Sequence, residues 1–258
     1  MNDLLSEIKD RLLLITLNRT HKNNAFDDSL LEALNSILQE GNQNPEVRAI
    51  VLKANGRHFS AGADLNWMQR MAQFTEEENL ADATQLAQVM YQLHHSPKPT
   101  IAMVQGSAFG GGAGLVAACD IAIAASNARF CFSEVKLGLI PAVISPYVIN
   151  AIGPKAARWL FMSAEIFDAE RALSLNLIQH CVEEESLFSF TLDYAQRIAS
   201  LAPNAVSEAK SLVSKVSYCP IDEELMQKTA KLIAKIRVSP EGQHGIKAFL
   251  NKETPNWD

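Results

Sequence analysis

Residues 106–115 read Gly-Ser-Ala-Phe-Gly-Gly-Gly-Ala-Gly-Leu, and the reading of this run decides the fold. An apolar, strand-like segment precedes it at 101–104, and an apolar, helix-like segment follows it at 115–119. Three adjacent glycines, Gly110, Gly111 and Gly112, cost backbone entropy on ordering. They belong where the backbone must approach something closely. A glycine-rich turn that opens a helix also presents free N–H groups at the positive end of the helix dipole. Such a turn can hold a phosphate, a carboxylate or an oxyanion.

The phosphate readings fail on spacing. No Gly-x-x-x-x-Gly-Lys-Ser/Thr string exists, and from Gly110 and Gly112 the sixth position of a dinucleotide fingerprint is Leu115. The Gly-x-Ser-x-Gly elbow of hydrolases is absent as well. A second run of small residues lies upstream, in Arg57-His58-Phe59-Ser60-Ala61-Gly62-Ala63-Asp64-Leu65. It follows a short buried-strand candidate at 49–53 and leads into a helix that begins near Asp64. Two strand-to-helix turns with exposed N–H groups can converge on one oxygen, which is the geometry of an oxyanion hole. Its natural client is a thioester carbonyl on the way to an enolate.

Around these turns the chain alternates. Strand-like runs at 12–17, 49–53, 101–104, 121–124 and 129–132 are interleaved with helical periodicity at 29–40 and 76–94. Leu80, Leu86, Val89, Met90 and Leu93 form the expected apolar stripe of the second helix, which Pro97 and Pro99 end. The alternation predicts an α/β sheet with crossover helices. Beyond Pro146 the pattern is helical at 147–152, 156–162, 169–175, 187–201, 205–216 and about 221–250. The expected organisation is a core domain over 1–195 and a helical C-terminal extension over 196–258.

Bulk properties bound the function. The chain has 258 residues, 48% hydrophobic, and a formal net charge of −6, so it can bury a real core and offers no global basic surface for nucleic acid. Cys119, Cys131, Cys181 and Cys219 show no close pairing, which argues against a zinc site or a disulfide framework and for a reducing compartment. Met1-Asn2-Asp3-Leu4 lacks the basic start and apolar core of a signal peptide, and no apolar stretch reaches membrane-span length. A cytoplasmic protein is the expectation.

The chain resembles the crotonase, or enoyl-CoA hydratase/isomerase, superfamily. The resemblance rests on Asn18-Arg19, Asn24-Ala25-Phe26, residues 59–65, Pro97-Lys98-Pro99-Thr100-Ile101-Ala102, residues 106–120 and residues 132–141. It continues through 164–182 and covers nearly the whole chain. The strings Asp64-Leu65-Asn66-Trp67-Met68 and Pro141-Ala142-Val143-Ile144-Ser145-Pro146 look most like hydratases of branched, carboxylated enoyl-CoAs, with methylglutaconyl-CoA hydratase of leucine breakdown the best match. The implied fold is the crotonase fold of repeated ββα units with a helical C-terminal trimerisation region. The implied assembly is a homotrimer or a dimer of trimers.

By motif position, the resemblance makes the N–H groups of Ala63 and Gly111 the oxyanion hole and Glu134 the catalytic acid/base. Gly110 and Gly114 belong to the same turn. Lys22, Asn24, Ala25, Ala61, Asp64 and Leu65 fall where relatives contact the CoA nucleotide and pantetheine arm. Asp64 reads as a helix cap in preference to a catalytic group, and Lys22 equally as a surface lysine. Phe249 and Lys252 stand where relatives lend an aromatic ring and a base to a neighbouring subunit, or Phe249 is core. Trp67, Met68 and Met71 line an acyl pocket or pack as core. Lys136 and Arg129 are the nearby cations for a carboxylated acyl tail. No metal or redox cofactor is implied, because coenzyme A enters as part of the substrate.

The departure from the family pattern is Gly114, where two-glutamate hydratases carry their second carboxylate. Either Glu134 alone handles water and proton in a hydration, or a single glutamate moves a proton between carbons in an isomerisation. Two readings of other kinds also stay open. One is thioester hydrolysis in the same oxyanion hole, and the other is a non-catalytic binding protein that keeps the fold.

Overall fold

The computed structural model describes residues 2–257. The chain begins with a hairpin of β1 (Leu4–Lys9) and β2 (Leu12–Leu17). Its two-residue turn, Asp10-Arg11, has both residues at positive φ, the geometry that matches strand twist. The sequence Leu-Leu-Leu-Ile-Thr-Leu of β2 is buried throughout, because both faces of the sheet are covered. Then come α1 (Asp28–Gln43), β3 (Ala49–Ala54), α2 (Leu65–Met71) and α3 (Glu76–His95). Asp27 caps α1 by accepting from the Leu30 N–H, and Leu31, Leu34 and Leu38 are fully buried along one face. Each such leucine contributes roughly 1.5–3 kcal/mol over leaving it exposed.

The middle of the chain holds β4 (Thr100–Val104), β5 (Ser107–Phe109), α4 (Gly111–Ala118), β6 (Ile121–Ala125), β7 (Arg129–Cys131) and α5 (Ser145–Ser163). Helix α5 breaks at Gly153, with φ 76° and ψ 160°, and Pro154 follows; its two pieces match the two short helices expected there. The remainder is β8 (Phe167–Asp168), α6 (Ala169–Ser174), β9 (His180–Val182), α7 (Glu184–Ala199), α8 (Pro203–Val216), α9 (Glu223–Arg237) and α10 (Pro240–Asn251).

The main sheet has six strands in the order β1-β2-β3-β4-β6-β9, parallel except for β1. Alternate residues serve two cores. Leu13, Ile15, Leu17, Ile50 and Leu52 face α1, α3 and α4, while Leu12, Leu14, Val51, Ile101 and Ile123 meet Leu187, Ala195 and Ala199 of α7. A second sheet, β5-β7-β8, is extended by isolated parallel bridges between Ser60 and Ala108 and between Phe26 and Ala63.

Three successive units now share one plan. A long strand (β3, β4 or β6) is followed by a short one in the second layer (around Ser60, β5 or β7), and then by a helical turn. Ala63, Gly111 and Glu134 each stand where their unit leaves the short strand for the helical turn. The repeat therefore brings three distant stretches of sequence to the same end of the molecule.

The expected division at 195/196 falls inside α7, whose buried residues run from Leu187 to Ala199. A division after Ala199 keeps this helix whole, and we propose the boundary there. The stripe expected on α3 holds for Val89, Met90 and Leu93, but Leu80 is exposed: the helix starts with a solvent-facing Thr75–Glu78 capping box. Helices α8 and α9 bury no residue. Val213 of α8, Met226 of α9 and the flanking Ile221 and Val238 are all exposed.

Candidate active site

The peptide around Ala63 is aimed by its neighbours. Phe26 N–H donates to Gly62 O and Asp64 N–H donates to Phe26 O, both at 2.9 Å. In this parallel bridge the residues flanking Ala63 make the bonds, so its own N–H points away from Phe26. Among the described residues it donates to no acceptor. Gly111 is the first residue of α4, and its N–H has no intrahelical partner by construction and no other acceptor among the described residues. Phe26 links the two amides: its backbone brackets Ala63, and the tip of its ring presses on the Gly111 Cα, where a Cβ would collide. An oxygen held by two unbonded amides at a helix N-terminus would be strongly polarised.

Glu134 opens a short 3-10 turn, Glu134–Leu137, directly after β7. Its Oε2 is buried with no hydrogen-bond partner. Burial pushes the Glu134 carboxyl above its ordinary value, and its own backbone N–H offsets this only in part. The other oxygen, Oε1, lies against Gly110: a Cβ there would stand 3.4 Å from it. Gly110 has φ 51° and ψ −124°, a conformation only glycine adopts readily, so no side chain intrudes on the carboxylate. Gly112 is equally constrained, since a Cβ would stand 2.9 Å from both Cβ and O of Ser60.

Gly114 faces hydrocarbon. A Cβ at this position would collide with Ile144 Cγ2 and stand 3.1 Å from Met90 Cε. Where the resemblance places a second carboxylate, the space is therefore filled by Ile144 and Met90.

The residues expected at the CoA arm are mostly committed to structure. Asp64 is buried and accepts from the Asn66 and Trp67 N–H groups, capping α2. It also pairs with Lys22 Nζ at 2.6 Å and with the Arg19 guanidinium at 3.7 Å. Burial alone would raise the Asp64 pKa, but the Lys22 bond and the two amides outweigh it, and the net shift is downward. Asn24 is buried, with its amide donating to the carbonyls of Asn55 and His58 and its oxygen accepting from Arg19 N–H. Ala25 is buried, whereas Ala61 and Leu65 are exposed on the rim of the turn. Trp67 is core: its Nε1 donates to Asp82 at 2.8 Å and ties α2 to α3. Met68 and Met71 are half-buried on the same helix.

Arg129 and Lys136 have contacts of their own, and Phe249 and Lys252, expected to serve a neighbouring subunit, lie on a separate element. Arg129 donates to the carbonyls of Asn127 and Ala128, and Lys136 Nζ lies 4.0 Å from Cys131 Sγ. Phe249 is 81% exposed, so it is not core. Phe249 and Lys252 belong to α10 and its cap; Trp257, whose ring lies against Gly245 of α10, accepts at its carbonyl from the guanidinium of Arg48, just before β3, at 2.7 Å. A concavity of about 990 Å³ is lined by His94, Asp120, Tyr147 and Lys210. It contains none of Ala63, Gly111 and Glu134, and the Lys210–Asp120 ion pair at 2.7 Å pins α8 beside it.

Residues 7–258 match the family model for enoyl-CoA hydratase/isomerase. The chain belongs to the enoyl-CoA hydratase/isomerase family. A solved structure from Legionella pneumophila, provisionally assigned as an enoyl-CoA hydratase/isomerase (crotonase), is 64% identical over the whole of both chains, with a TM-score of 0.97. An enoyl-CoA hydratase structure from Shewanella pealeana is 44% identical, covers 99% of this chain and 96% of its own, and superposes with a TM-score of 0.95. The 2,3-dehydroadipyl-CoA hydratase of Escherichia coli is 31% identical over 100% of this chain and 99% of its own. The fold is thus the crotonase fold, as the sequence resemblance implied, and the family is one of enzymes. Sequence reading missed Ile144 and Met90 as the filler at Gly114, because nothing in the spacing of residues 90, 114 and 144 announces their contact.

Proposed function

We propose that the chain is an enoyl-CoA hydratase that adds water reversibly across an α,β-unsaturated acyl-CoA. The supporting observation is the Glu134 carboxylate, whose Oε2 is buried without a hydrogen-bond partner, on the side of the molecule that carries two unbonded amides. The thioester oxygen would sit between the Ala63 and Gly111 N–H groups. Glu134 accepts a proton from water as its oxygen bonds to C3, and the C2–C3 π electrons move to the thioester oxygen as an enolate. The protonated Glu134 then returns a proton to C2, so water is added in full and the carboxylate is restored. A pKa raised by burial suits both halves: it strengthens the base and keeps the acid available. Losing one oxyanion donor would cost about 2.7–4 kcal/mol of transition-state stabilisation.

Isomerisation is the second reading, favoured by the hydrocarbon that fills the Gly114 position. One carboxylate that takes a proton from one carbon and returns it to another needs no second acid. The finer substrate reading, a branched carboxylated enoyl-CoA such as 3-methylglutaconyl-CoA in leucine degradation, rests on residues 64–68 and 141–146. The E. coli relative, named for a 2,3-dehydroadipyl thioester, is in keeping with a carboxylated chain. A trimer or a dimer of trimers is supported by the uncovered apolar side chains of α8–α10, including Val238, Phe249 and Leu250. A cytoplasmic location is in keeping with four free cysteines, and no described helix is long and apolar enough to cross a membrane.

The test is product mass. Crotonyl-CoA, 3-methylglutaconyl-CoA and a 3-enoyl-CoA are offered separately. A gain of one water supports the hydratase, and an unchanged mass with a shifted double bond supports the isomerase. Released CoA thiol points to hydrolysis instead. Inactivity on all three, or full activity of Glu134→Ala, overturns the reading.

A further inference from the structure

Ser60 has no role in the chemistry above, yet it is fully buried where the two amide-bearing turns meet. Its side chain donates to Asn24 O at 2.9 Å and accepts from Gly62 N–H at 3.2 Å. Its backbone donates to Ser107 O and accepts from Phe109 N–H, both at 3.0 Å. Its Cβ is the surface against which Gly112 packs. One residue therefore grips both turns: the Ala63 turn through Oγ, and the Gly111 turn through its peptide and Cβ.

The Oγ bond selects between amides. Gly62 and Ala63 are adjacent, and Gly62 is buried, so its N–H needs an acceptor within the protein. Ser60 Oγ supplies it. That leaves the Ala63 N–H as the free donor, held at a fixed offset from Gly111. The same hydroxyl fastens the turn to Asn24, whose side chain anchors the strand ends at Asn55 and His58.

We propose that Ser60 is a positioning residue that sets the alignment of the Ala63 and Gly111 N–H groups toward a shared oxyanion. This rests on the reading of those amides as the oxyanion hole. Removing Oγ leaves the Gly62 N–H without its buried acceptor, and the turn relaxes to find another. The Ala63 donor then loses its aim while the fold and the carboxylate stay in place.

The experiment uses acetoacetyl-CoA, a 3-ketoacyl thioester that loses its C2 proton to form an enolate with its own ultraviolet band. Wild type, Ser60→Ala and Ser60→Cys are compared for the bound enolate fraction, for kcat and KM separately, and for Tm. We expect Ser60→Ala to lower the enolate equilibrium and kcat about tenfold with little change in KM, less than the roughly 100-fold or greater effect of losing a donor outright. Ser60→Cys, with a weak thiol acceptor in the same place, falls between. An undiminished enolate band in folded Ser60→Ala overturns the positioning role alone. Should Ser60→Ala not fold, Ser60→Cys decides in the same way, and a wild-type band and kcat in that variant overturn the role. Absence of the band in wild type overturns the oxyanion-hole reading itself, and this proposal with it.

Discussion

Ile144 occupies the space that a side chain at residue 114 would need: a Cβ on Gly114 would stand 2.8 Å from Ile144 Cβ and closer still to Cγ2. A β-branched residue is stiff at χ1 and cannot swing aside freely. Gly114→Ala should therefore destabilise the protein by about 1–3 kcal/mol, the usual range for overpacking. Gly114→Glu should fail more severely. Adding Ile144→Ala should recover part of the loss in Gly114→Ala, with a coupling of about 0.5–3 kcal/mol in a double-mutant cycle by urea unfolding. Simple additivity would show that the two residues do not compete for space.

Glu134 combines a chemical role with an electrostatic strain. Glu134→Gln should lower turnover by about 100-fold or more, yet leave the fold as stable or stabler near neutral pH, since it removes a buried charge with an orphaned oxygen. The folded pKa lies above the ordinary 4.5, so the folded state holds this proton more tightly. Its contribution is fully present below the unfolded pKa and is lost as pH rises through the raised folded value. The stability gap in favour of Glu134→Gln should thus open as pH rises from about 4.5. Over the same window, kcat/KM of wild type should climb, because hydration needs the carboxylate. A flat profile in both measurements removes the assignment.

Gly111→Val tests the amide without deleting it. Any Cβ here meets the Phe26 ring, which is 2% exposed and cannot retreat into solvent. The variant should bind and turn over acyl-CoA at least 100-fold less well, an order set by the loss of one oxyanion donor. Circular dichroism should show the helices intact. Wild-type turnover by the folded variant sinks the role of Gly111.

Much of this arrangement was legible before the fold. The strand 12–17 and the helix around 29–40 follow from period and burial, and the glycine run at 110–112 advertises close backbone approach. The β1 strand was not legible, because its turn is Asp10-Arg11 rather than a glycine pair and its outer face is polar. The boundary at 195/196 lies within α7, whose Leu187, Ala195 and Ala199 cover the second face of the sheet, a contact that the spacing alone does not announce. At the site, the motif pointed to Ala63, Gly111 and Glu134, the residues to which we propose the chemistry belongs. The Ser60 hydroxyl and the Ile144 plug needed the fold, since both act between segments far apart in sequence.

The uncovered apolar side chains of the last three helices predict association. Val238 and Leu250 are 75% and 73% exposed, and Val213, Met226, Ile233, Ile246 and Phe249 of the same three helices are exposed with them, the kind of surface that an interface covers. Light scattering should give a mass that is a multiple of the 28.3 kDa chain, and Val238→Asp with Leu250→Asp should shift it downward. A monomer in the wild type would overturn the trimer.

Asp64 joins the site to the fold's acid limit. It caps α2, pairs with Lys22 and Arg19, and donates its N–H to Phe26 O, which brackets Ala63. Asp64→Asn keeps the shape but takes from Lys22 its carboxylate at 2.6 Å, while Arg19 still pairs with Asp27 at 2.6 Å and Asp3 at 3.2 Å, so a loss of about 1–3 kcal/mol is expected at pH 7. The folded pKa of Asp64 lies below its ordinary 3.8. Its contribution is present above the unfolded pKa and is lost as pH falls through the depressed folded value. Wild type should therefore lose its advantage over Asp64→Asn only below about pH 4, and the two unfolding curves should converge there. Because the Asp64 side chain fixes the start of α2 directly after Ala63, kcat should drop along with stability. A variant as stable as wild type at pH 7, or one that loses stability while keeping full kcat, would separate the cap from the amide that follows Gly62.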